Sequence, residues 1–237
     1  MRLLVSVRDE VEARAAVDGG AGIVDAKEPA AGSLGAVSPA VLAAIREAVP
    51  WRLGVSAALG DACDAMEVTR ALGRIQVPLA YVKLGFRGVA DPATARALIS
   101  EATRLAALLP GRPAFIAVAY ADWERTGSLS PAVLAELVSE CAADGLLVDT
   151  AIKDGATLFD ISPVEDLAAI GRMLSAEERL FALGGGLGLA DIPSAAAAGA
   201  AIFGVRTAAC DGGRNGPVAV SRVRELAEAL RLSRLRA

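Results

Sequence analysis

Short apolar runs alternate with amphipathic stretches along the whole chain. Each apolar run is short enough for a buried β-strand, and the stretches between them carry apolar positions at a helical period. The predicted strands are 3–7, 22–27, 53–57, 80–84, 114–119, 146–149, 180–183 and 201–205. The predicted helices are 9–18, 39–48, 63–75, 92–109, 131–143, 163–174, 190–198 and 218–230. The pattern therefore predicts eight consecutive strand–helix units.

Serine or aspartate followed by proline stands at the start of several of the predicted helices. The pairs are Ser38-Pro39, Asp91-Pro92, Ser130-Pro131 and Ser162-Pro163. The side-chain oxygen can accept a hydrogen bond from an unpaired backbone N–H of the first turn, and proline suits the first helical position. We therefore expect each of these serine or aspartate side chains to cap its helix.

Eight units in 237 residues average about 30 residues each, the size expected for a single (β/α)8, or TIM, barrel. No linker or shift in composition divides the chain, so one barrel domain spanning 1–237 is predicted. A doubly wound open sheet is the alternative, but the count of eight and the use of both chain ends favour the barrel. Active sites in such barrels lie at the C-terminal ends of the strands and in the loops that follow.

Charge and hydropathy exclude several classes of partner. A formal net charge of −4 does not suit non-specific nucleic-acid binding, which needs a basic surface. The most apolar region, 180–205, is interrupted by the glycine-rich segment 184–188 and by Pro193, so we expect no membrane span. The first residues, MRLLVSVRDE, hold too short an apolar run for a signal peptide.

Cysteine and histidine content narrows the chemistry. Cys63, Cys141 and Cys210 are widely spaced and odd in number, which indicates a reducing, cytoplasmic setting without disulfides or a zinc motif. The chain has no histidine, so the commonest general base and metal ligand is missing. Acid–base chemistry must then use lysine, aspartate, glutamate, tyrosine or cysteine.

Lysine is rare, and its positions are concentrated. Of 24 basic residues, 21 are arginine, and the three lysines are Lys27, Lys83 and Lys153. All three lie at or just after the ends of predicted strands two, four and six, and therefore at one mouth of the barrel. Arginine can replace lysine as a positive charge, but it cannot readily become a nucleophilic amine. The pattern predicts lysine chemistry on a carbonyl group.

Carboxylates accompany these lysines. Asp25 and Lys27 are two residues apart on one strand and share a face, and Asp149 ends strand six shortly before Lys153. One interpretation is a buried ion-pair network that only ties strands together, since buried charges must be paired. Such a network does not select lysine over arginine. The other interpretation is that crowded lysines lower one another's pKa, so that one amine is neutral and attacks a carbonyl.

Glycine-rich segments follow predicted strands seven and eight, where this type of barrel often binds phosphate through backbone N–H groups. The candidate phosphate-binding residues are Gly184, Gly185, Gly186, Arg206, Thr207 and Arg214. Arg206 can add charge-assisted hydrogen bonds, and Arg214 either binds a second phosphate or lies on the surface. Tyr120 and Trp123, after strand five, either line the same pocket or pack beside it. We expect a phosphorylated small-molecule substrate.

Several of these segments occur together in a known family. They are LLVSV, IVDAKEPAAGSLGA, YVKLG, AYADWERTG, DTAIKDGATLFD and GVRTAAC. In this order and spacing, from residue 3 to about 226, they resemble the (5-formylfuran-3-yl)methyl phosphate synthase family, also called 4-(hydroxymethyl)-2-furancarboxaldehyde-phosphate synthase. The segment GGGLGLADIPSA departs from the family pattern by being richer in glycine.

The resemblance implies a (β/α)8 barrel that condenses two molecules of glyceraldehyde 3-phosphate into a phosphorylated furan aldehyde, with loss of one phosphate and of water. It implies a place in the biosynthesis of methanofuran-type coenzymes of one-carbon metabolism. The family's Schiff-base lysine matches Lys27, its proton-transfer lysine matches Lys83, and the aspartate and lysine of DTAIKDG match Asp149 and Lys153. We expect Asp25 to orient or deprotonate Lys27. No metal or organic cofactor is implied, because the imine is the electron sink.

Two other functions stay open at this point. A class I aldolase acting on another sugar phosphate would share the lysine and the phosphate site, but it would not release inorganic phosphate. A non-catalytic phosphometabolite-binding protein would keep its affinity for ligand when Lys27 is replaced by arginine. The alanine-rich outer helices leave self-association into a homo-oligomer open as well.

Overall fold

Eight parallel strands, hydrogen-bonded in chain order, form the wall of a closed barrel in a computed structural model that describes residues 1–234. The strands are β1 Arg2–Val7, β2 Ile23–Ala26, β3 Gly54–Asp61, β4 Tyr81–Gly85, β5 Ala114–Tyr120, β6 Gly145–Asp149, β7 Leu180–Leu183 and β8 Ile202–Val205. The pairing of β8 with β1 closes the barrel. The predicted (β/α)8 architecture is confirmed, and the open-sheet alternative is wrong because both edge strands are paired.

Helices cover the outside of the barrel. Within residues 1–234 they are α1 Glu10–Asp18, α2 Pro39–Ala48, α3 Ala65–Leu72, α4 Pro92–Ala106, α5 Trp123–Thr126, α6 Pro131–Glu140, α7 Leu158–Ile161, α8 Val164–Ala176, α9 Ile192–Ala197 and α10 Val220–Arg234. The single-turn helices α5 and α7 were not predicted, because one turn is too short to show a helical period of apolar positions. Both lie in loops at the C-terminal mouth, after β5 and β6.

Side-chain caps explain where three of the proline-led helices begin. Ser38, Asp91 and Ser130 each accept a hydrogen bond from a backbone N–H three residues later, at 3.3, 2.8 and 3.4 Å. The prediction for Ser162 is wrong. Ser162 is the C-cap residue of the unpredicted helix α7, where its backbone N–H donates to the carbonyl of Leu158. The N-cap residue of α8 is Pro163, whose side chain cannot cap a helix.

The barrel interior is apolar near the N-terminal ends of the strands and polar near their C-terminal ends. Inward-facing positions recur every second residue, so Leu4 is followed by Ser6, Ile23 by Asp25 and Leu147 by Asp149. The inner apolar cluster contains Leu4, Ile23, Ala58, Ile116, Val118, Leu147, Ala182 and Ile202. A larger apolar layer lies between the strands and the outer helices. The polar mouth therefore rests on a packed apolar floor.

The region for which a membrane span was considered, 180–205, folds into β7, α9 and β8. Among the residues that the structure describes, no helix combines the length and apolar character needed to cross a bilayer.

Gly145 generates a prediction about the pairing of β6 with β7. An added Cβ would press on the backbone carbonyl of Leu180, closer than real Cβ contacts come. We expect Gly145→Ala to lower the free energy of unfolding by about 1–3 kcal/mol, the usual cost of overpacking. Gly22→Ala is the matched control, because its Cβ would meet nothing nearer than 3.5 Å. Denaturant unfolding measures both, and equal stability of the two variants would contradict the prediction.

Candidate active site

The C-terminal mouth of the barrel contains a cavity of about 730 Å³, a volume that includes its open entrance. Every residue predicted for catalysis or phosphate binding lines it. These residues are Asp25, Lys27, Lys83, Asp149, Lys153, Gly184, Gly185, Gly186, Arg206, Thr207 and Arg214. The structure thus brings together side chains and loops from β2, β4, β6, β7 and β8.

Asp25 holds Lys83 at the floor of the cavity. The Nζ of Lys83 lies 2.7 Å from the Asp25 carboxylate, and both side chains are buried. The hydroxyls of Ser6 and Ser56 donate to the same carboxylate, because strand register places them on either side of Asp25. Neither serine was predicted from the sequence, although a serine at an inward position of an apolar strand indicates a polar contact there.

Lys27 is held less tightly than the other two lysines. It directly follows β2, and its Nζ lies 3.6 Å from the carboxylate of Asp149. Within residues 1–234 its Nζ makes no hydrogen bond, whereas Lys83 and Lys153 approach carboxylates to 2.7 and 2.8 Å. The expected contact of Asp25 with Lys27 is replaced by a contact with Lys83, so Asp149 is the carboxylate nearest the Lys27 amine.

The electrostatics of the cavity favour a neutral Lys27. Burial lowers its pKa most, Asp149 raises it, and the charges of Lys83 and Lys153 lower it again, which leaves the pKa at about 8 instead of 10.5. Roughly a tenth of the amine is then neutral at pH 7, several hundred times more than for an ordinary lysine. Lys27 is therefore suited to attack a carbonyl group.

Asp149 stays ionised beside two lysines. Burial alone would raise its pKa, but Lys153 and Lys27 outweigh that effect and hold the pKa well below its usual range. Its carboxylate accepts hydrogen bonds from Lys153 Nζ at 2.8 Å and from the Thr150 backbone N–H at 2.7 Å. Lys153 also donates to the Thr150 hydroxyl at 2.9 Å. The arrangement supplies a fixed carboxylate and a fixed ammonium group side by side.

The glycine segment after β7 forms one wall of the cavity. Gly185 and Gly186 have φ values of +97° and +72°, which side-chain-bearing residues rarely adopt. The N–H of Gly184 is taken by the Val148 carbonyl at 2.9 Å. A side chain at Gly184 would stand about 3.4 Å from the Asp149 carboxyl carbon and narrow the cavity. Of the three glycines, Gly185 and Gly186 are therefore the ones whose backbone N–H groups have no protein acceptor among the described residues.

Arg206 lines the cavity, but its guanidinium is occupied by the protein. Two of its bonds go to the Glu12 carboxylate, and the others go to the backbone carbonyls of Ser6, Arg214 and Gly216. A guanidinium has five N–H donors, so a side-chain contact with phosphate would have to break one of these bonds. Arg206 acts in this structure as a tie between loops.

Arg214 is half-buried in the cavity wall and makes a different set of contacts. Its guanidinium donates to the carbonyl of Gly32, in the loop after β2, at 2.9 Å. Burial lowers its pKa and the charge of Asp149 raises it, which places its guanidinium within the field of the lysine–carboxylate group. Arg214 thus lines the cavity with a half-exposed side chain, and its binding of a second phosphate stays a prediction.

Asp122 is a site residue that sequence reasoning missed. It is buried, and its carboxylate oxygens accept the backbone N–H groups of Ala151 and Ile152 at 2.7 and 2.8 Å. These bonds hold the loop that carries Lys153. A second, exposed contact between the same two loops joins Arg125 to Asp154 at 2.8 Å. Asp122 lies in the segment AYADWERTG, and an aspartate directly before a short helix is the signal from which it could have been predicted.

Those aromatic residues lie outside the lining of the cavity. Tyr120 is buried in the inner apolar cluster, and its hydroxyl donates to Asp61 at 2.6 Å. Burial and then the Asp61 charge raise the pKa of Tyr120 far above its usual value, so it stays protonated. Trp123 begins α5. Of the two alternatives for these residues, packing beside the site is the one observed.

Comparisons with known proteins agree on the kind of molecule. The model of the 4-HFC-P synthase family matches residues 3–227. A (5-formylfuran-3-yl)methyl phosphate synthase of Methanopyrus kandleri is 39% identical over 233 residues, which cover 97% of this chain and 98% of that protein. The enzyme of the same name from Methanocaldococcus jannaschii is 37% identical and covers 96% and 99%.

Solved structures support the fold alone, since their sequences are distant. A phosphoribosyl anthranilate isomerase from Thermus thermophilus superimposes with a TM-score of 0.60 at 17% identity, covering 98% of this chain and all of that one. A 3-hexulose-6-phosphate synthase gives the same TM-score and identity, with coverage of 98% and 99%.

The pKa of Lys27 generates a prediction about pH. Labelling of Lys27 by a small aldehyde and cyanoborohydride should rise with pH and level off above about 8, because only the neutral amine attacks. In Asp149→Asn the midpoint should move to lower pH, since Asp149 raises the pKa of Lys27. Asp154→Asn, on the exposed part of the loop, is the control. Peptide mass spectrometry gives the rates, and a midpoint near 10.5 would contradict the prediction.

Asp122 generates a prediction about the loop after β6. Asp122→Asn removes the charge and one acceptor, so the Ala151 and Ile152 amides should exchange with solvent about tenfold faster, the loss of one hydrogen bond to a charged group. Glu124→Gln, on the same turn, makes the same change of charge at an exposed position. Hydrogen exchange with mass spectrometry measures both variants. Unchanged protection of residues 150–153 would show that Asp122 does not hold this loop.

Proposed function

Because this chain belongs to the 4-HFC-P synthase family, we propose that it forms (5-formylfuran-3-yl)methyl phosphate from two molecules of glyceraldehyde 3-phosphate, through an imine on Lys27. Joining two triose phosphates into this product releases one phosphate and water. The observation that carries the proposal is the cluster of three lysines around two buried carboxylates, of which only Lys27 lacks a short bond to a carboxylate. The relatives' shared enzyme name supports the identity of the product.

The first step uses the neutral amine of Lys27. Its lone pair attacks the aldehyde carbon of one triose phosphate, and loss of water leaves a protonated imine. Asp149, 3.6 Å from Nζ and ionised, stabilises that positive charge. The apolar floor of the barrel keeps the lysine amine largely desolvated, which favours imine over hydrated aldehyde.

The imine makes the neighbouring C–H acidic and thereby prepares loss of phosphate. Removal of the C2 proton gives an enamine, which expels phosphate from C3 and restores the iminium. Lys83 is the proton carrier in this proposal, because it lies at the cavity floor and Asp25 fixes its Nζ at 2.7 Å. Asp25 therefore acts on Lys83, and not on Lys27 as first expected.

Carbon–carbon bond formation and ring closure use the second ion pair, Lys153 and Asp149. The second glyceraldehyde 3-phosphate first isomerises to its ketose, as a proton moves from C2 to C1 and the C2 hydroxyl proton moves to the C1 oxygen. After phosphate leaves the first triose, its terminal carbon, as the enol, adds to the C2 carbonyl of that ketose, and the ketose C1 hydroxyl closes the ring on C2 of the first triose with loss of two water molecules. Lys153 can polarise that carbonyl and protonate the departing water, while the ionised Asp149 holds Lys153 in place and stabilises the iminium on Lys27. Hydrolysis of the imine then frees the aldehyde and the Lys27 amine.

The backbone of the glycine segment holds the phosphate that is retained in the product. Gly185 and Gly186 turn the chain toward the cavity, and Thr207 begins a short turn after β8. Arg214 adds a positive charge on the same side of the cavity. The frequent binding of phosphate at these two loops in barrels of this fold supports the assignment.

Borohydride trapping tests the imine directly. Incubation with glyceraldehyde 3-phosphate and borohydride should leave a reduced adduct on the Lys27 peptide, detected by mass spectrometry, together with release of inorganic phosphate in untrapped turnover. Lys27→Arg keeps the charge without an attacking amine, so the adduct and turnover should both vanish, with turnover down at least about a thousandfold.

The other outcomes separate the alternatives. An adduct on Lys83 or Lys153 would transfer the nucleophilic role to that lysine. An adduct on Lys27 without phosphate release would favour a class I aldolase. Triose phosphate bound equally well by wild type and Lys27→Arg, with no product from either, would favour a binding protein.

A further inference from the structure

We propose that Glu12 is a positioning residue for the substrate phosphate: through Arg206 and Arg8 it holds the loop after β8 so that Arg214 faces the cavity and binds that phosphate. The inference rests on the proposed function only in requiring a phosphorylated ligand. It reassigns the direct contact with phosphate from Arg206 to Arg214.

Glu12 is the centre of a buried charged cluster on α1. Its side chain is 4% exposed, and its carboxylate accepts hydrogen bonds from the guanidinium groups of Arg8 and Arg206 and from the Arg8 backbone N–H. Burial would raise the pKa of Glu12, but the bonds to Arg206 and Arg8 outweigh it and lower the pKa. A buried carboxylate of this kind stays charged because both partners are arginines.

The two arginines carry this anchorage to three consecutive residues of the loop. Arg206 donates to the backbone carbonyls of Arg214 and Gly216, at 2.9 and 2.8 Å. Arg8 donates to the carbonyl of Asn215, between them, at 3.0 Å. One carboxylate therefore fixes, through two guanidinium groups, the direction of three successive peptide carbonyls.

The rest of the loop closes on itself. Cys210 pairs with Val218 in an antiparallel bridge, and the N–H of Asp211 bonds the Pro217 carbonyl at 2.9 Å. The loop is thus a short closed segment. Arg8 and Arg206 tie its tip to α1 and β8, Arg222 bonds Asp211 at its base at 2.6 Å, and Arg214 bonds Gly32 across the mouth at 2.9 Å. No other tie from the Glu12 cluster reaches the tip within residues 1–234.

Arg214 extends from this tip into the cavity. Within the described residues the guanidinium of Arg214 makes one hydrogen bond, to the Gly32 carbonyl. It therefore retains N–H donors for a ligand. Arg206 has none left. Of these two arginines, Arg214 is thus the one able to form a charge-assisted pair with phosphate without breaking protein bonds.

The physical gain is pre-organisation. An arginine on a loose loop loses backbone and side-chain freedom when it binds, and that loss weakens binding. If Glu12 orders the loop of Arg214 before phosphate binds, loss of Glu12 should weaken phosphate binding and leave the chemical step nearly unchanged. A change that affects ground and transition states alike raises KM with kcat unaltered.

The test measures binding of glycerol 3-phosphate, which has the phosphate but no carbonyl, by calorimetry. We expect Glu12→Gln to weaken binding about five- to tenfold, the cost of ordering one arginine and its loop. Arg214→Ala should weaken it about 10- to 100-fold, the loss of a hydrogen-bonded charge pair. In the Arg214→Ala background, Glu12→Gln should add less than about twofold, because residues acting through one contact are not additive.

Steady-state kinetics with glyceraldehyde 3-phosphate provide the second measurement. Glu12→Gln should raise KM by the same factor and change kcat by less than about twofold. Glu10→Gln is the matched control, since it removes a carboxylate from the first turn of the same helix without touching either arginine. It should leave both constants unchanged.

A second variant covers the case in which Glu12→Gln does not fold. Arg8→Met, at a side chain that is 31% exposed, removes the tie to Asn215 together with the guanidinium bonds to Glu12, and it leaves the bonds between Arg206 and Glu12 in place. Arg8→Met should weaken binding of glycerol 3-phosphate about two- to threefold when Arg214 is present. It should not weaken binding further in the Arg214→Ala variant.

Three results would overturn the inference. One is an equal loss of affinity in both backgrounds, which would mean that Glu12 acts on stability or on another group. Another is a fall in kcat with KM unchanged. The third is a wild-type protein that does not bind glycerol 3-phosphate. If binding shows the expected coupling but no furan aldehyde forms, the proposed function fails while the phosphate assignment stands.

Discussion

The free-energy cost of burying charged side chains at the mouth of a closed barrel determines how the groups of this site are paired. Asp25 and Asp149 lie on an apolar floor where an unpaired carboxylate would be costly, and three lysines compensate them. Two of those lysines are bound by short hydrogen bonds, and the third is left 3.6 Å from the nearest carboxylate oxygen. The same low dielectric that requires the pairing also lowers the pKa of the loosely paired amine, Lys27.

Three lysine side chains thus acquire different electrostatic environments from their contacts. Asp25 is shared between two serine hydroxyls and Lys83, which makes Lys83 rigid. Asp149 bonds Lys153 and only attracts Lys27. Separation of a nucleophile from proton-transfer groups in one cavity needs this kind of asymmetry, because identical environments would give the lysines identical acidity.

Buried carboxylates outside the reacting centre organise the loops around it. Asp122 accepts two backbone N–H groups of the loop that carries Lys153. Glu12 reaches the loop after β8 through two arginines. Each replaces hydrogen bonds that the loop would otherwise make to water, so each reduces the freedom of a segment that must meet substrate.

The sequence alone determined the architecture and the membership of the site. Eight apolar runs with helical stretches between them specify the barrel, and strand ends in a barrel converge on one mouth whatever the details of packing, so Lys27, Lys83, Asp149 and Lys153 were found together. Only the tertiary structure decided which of these side chains contact each other. Asp25 and Lys27 share a strand face, yet strand register and side-chain reach pair Asp25 with Lys83. The contacts of Arg206, Arg214, Asp122 and Glu12 likewise join segments far apart in the chain, and Glu12 and Arg206 are 194 residues apart. The local sequence pattern indicates which face of an element a side chain occupies. Its hydrogen-bond partner depends on donor–acceptor distances that must be right to a few tenths of an ångström, and only the folded barrel brings the two elements together.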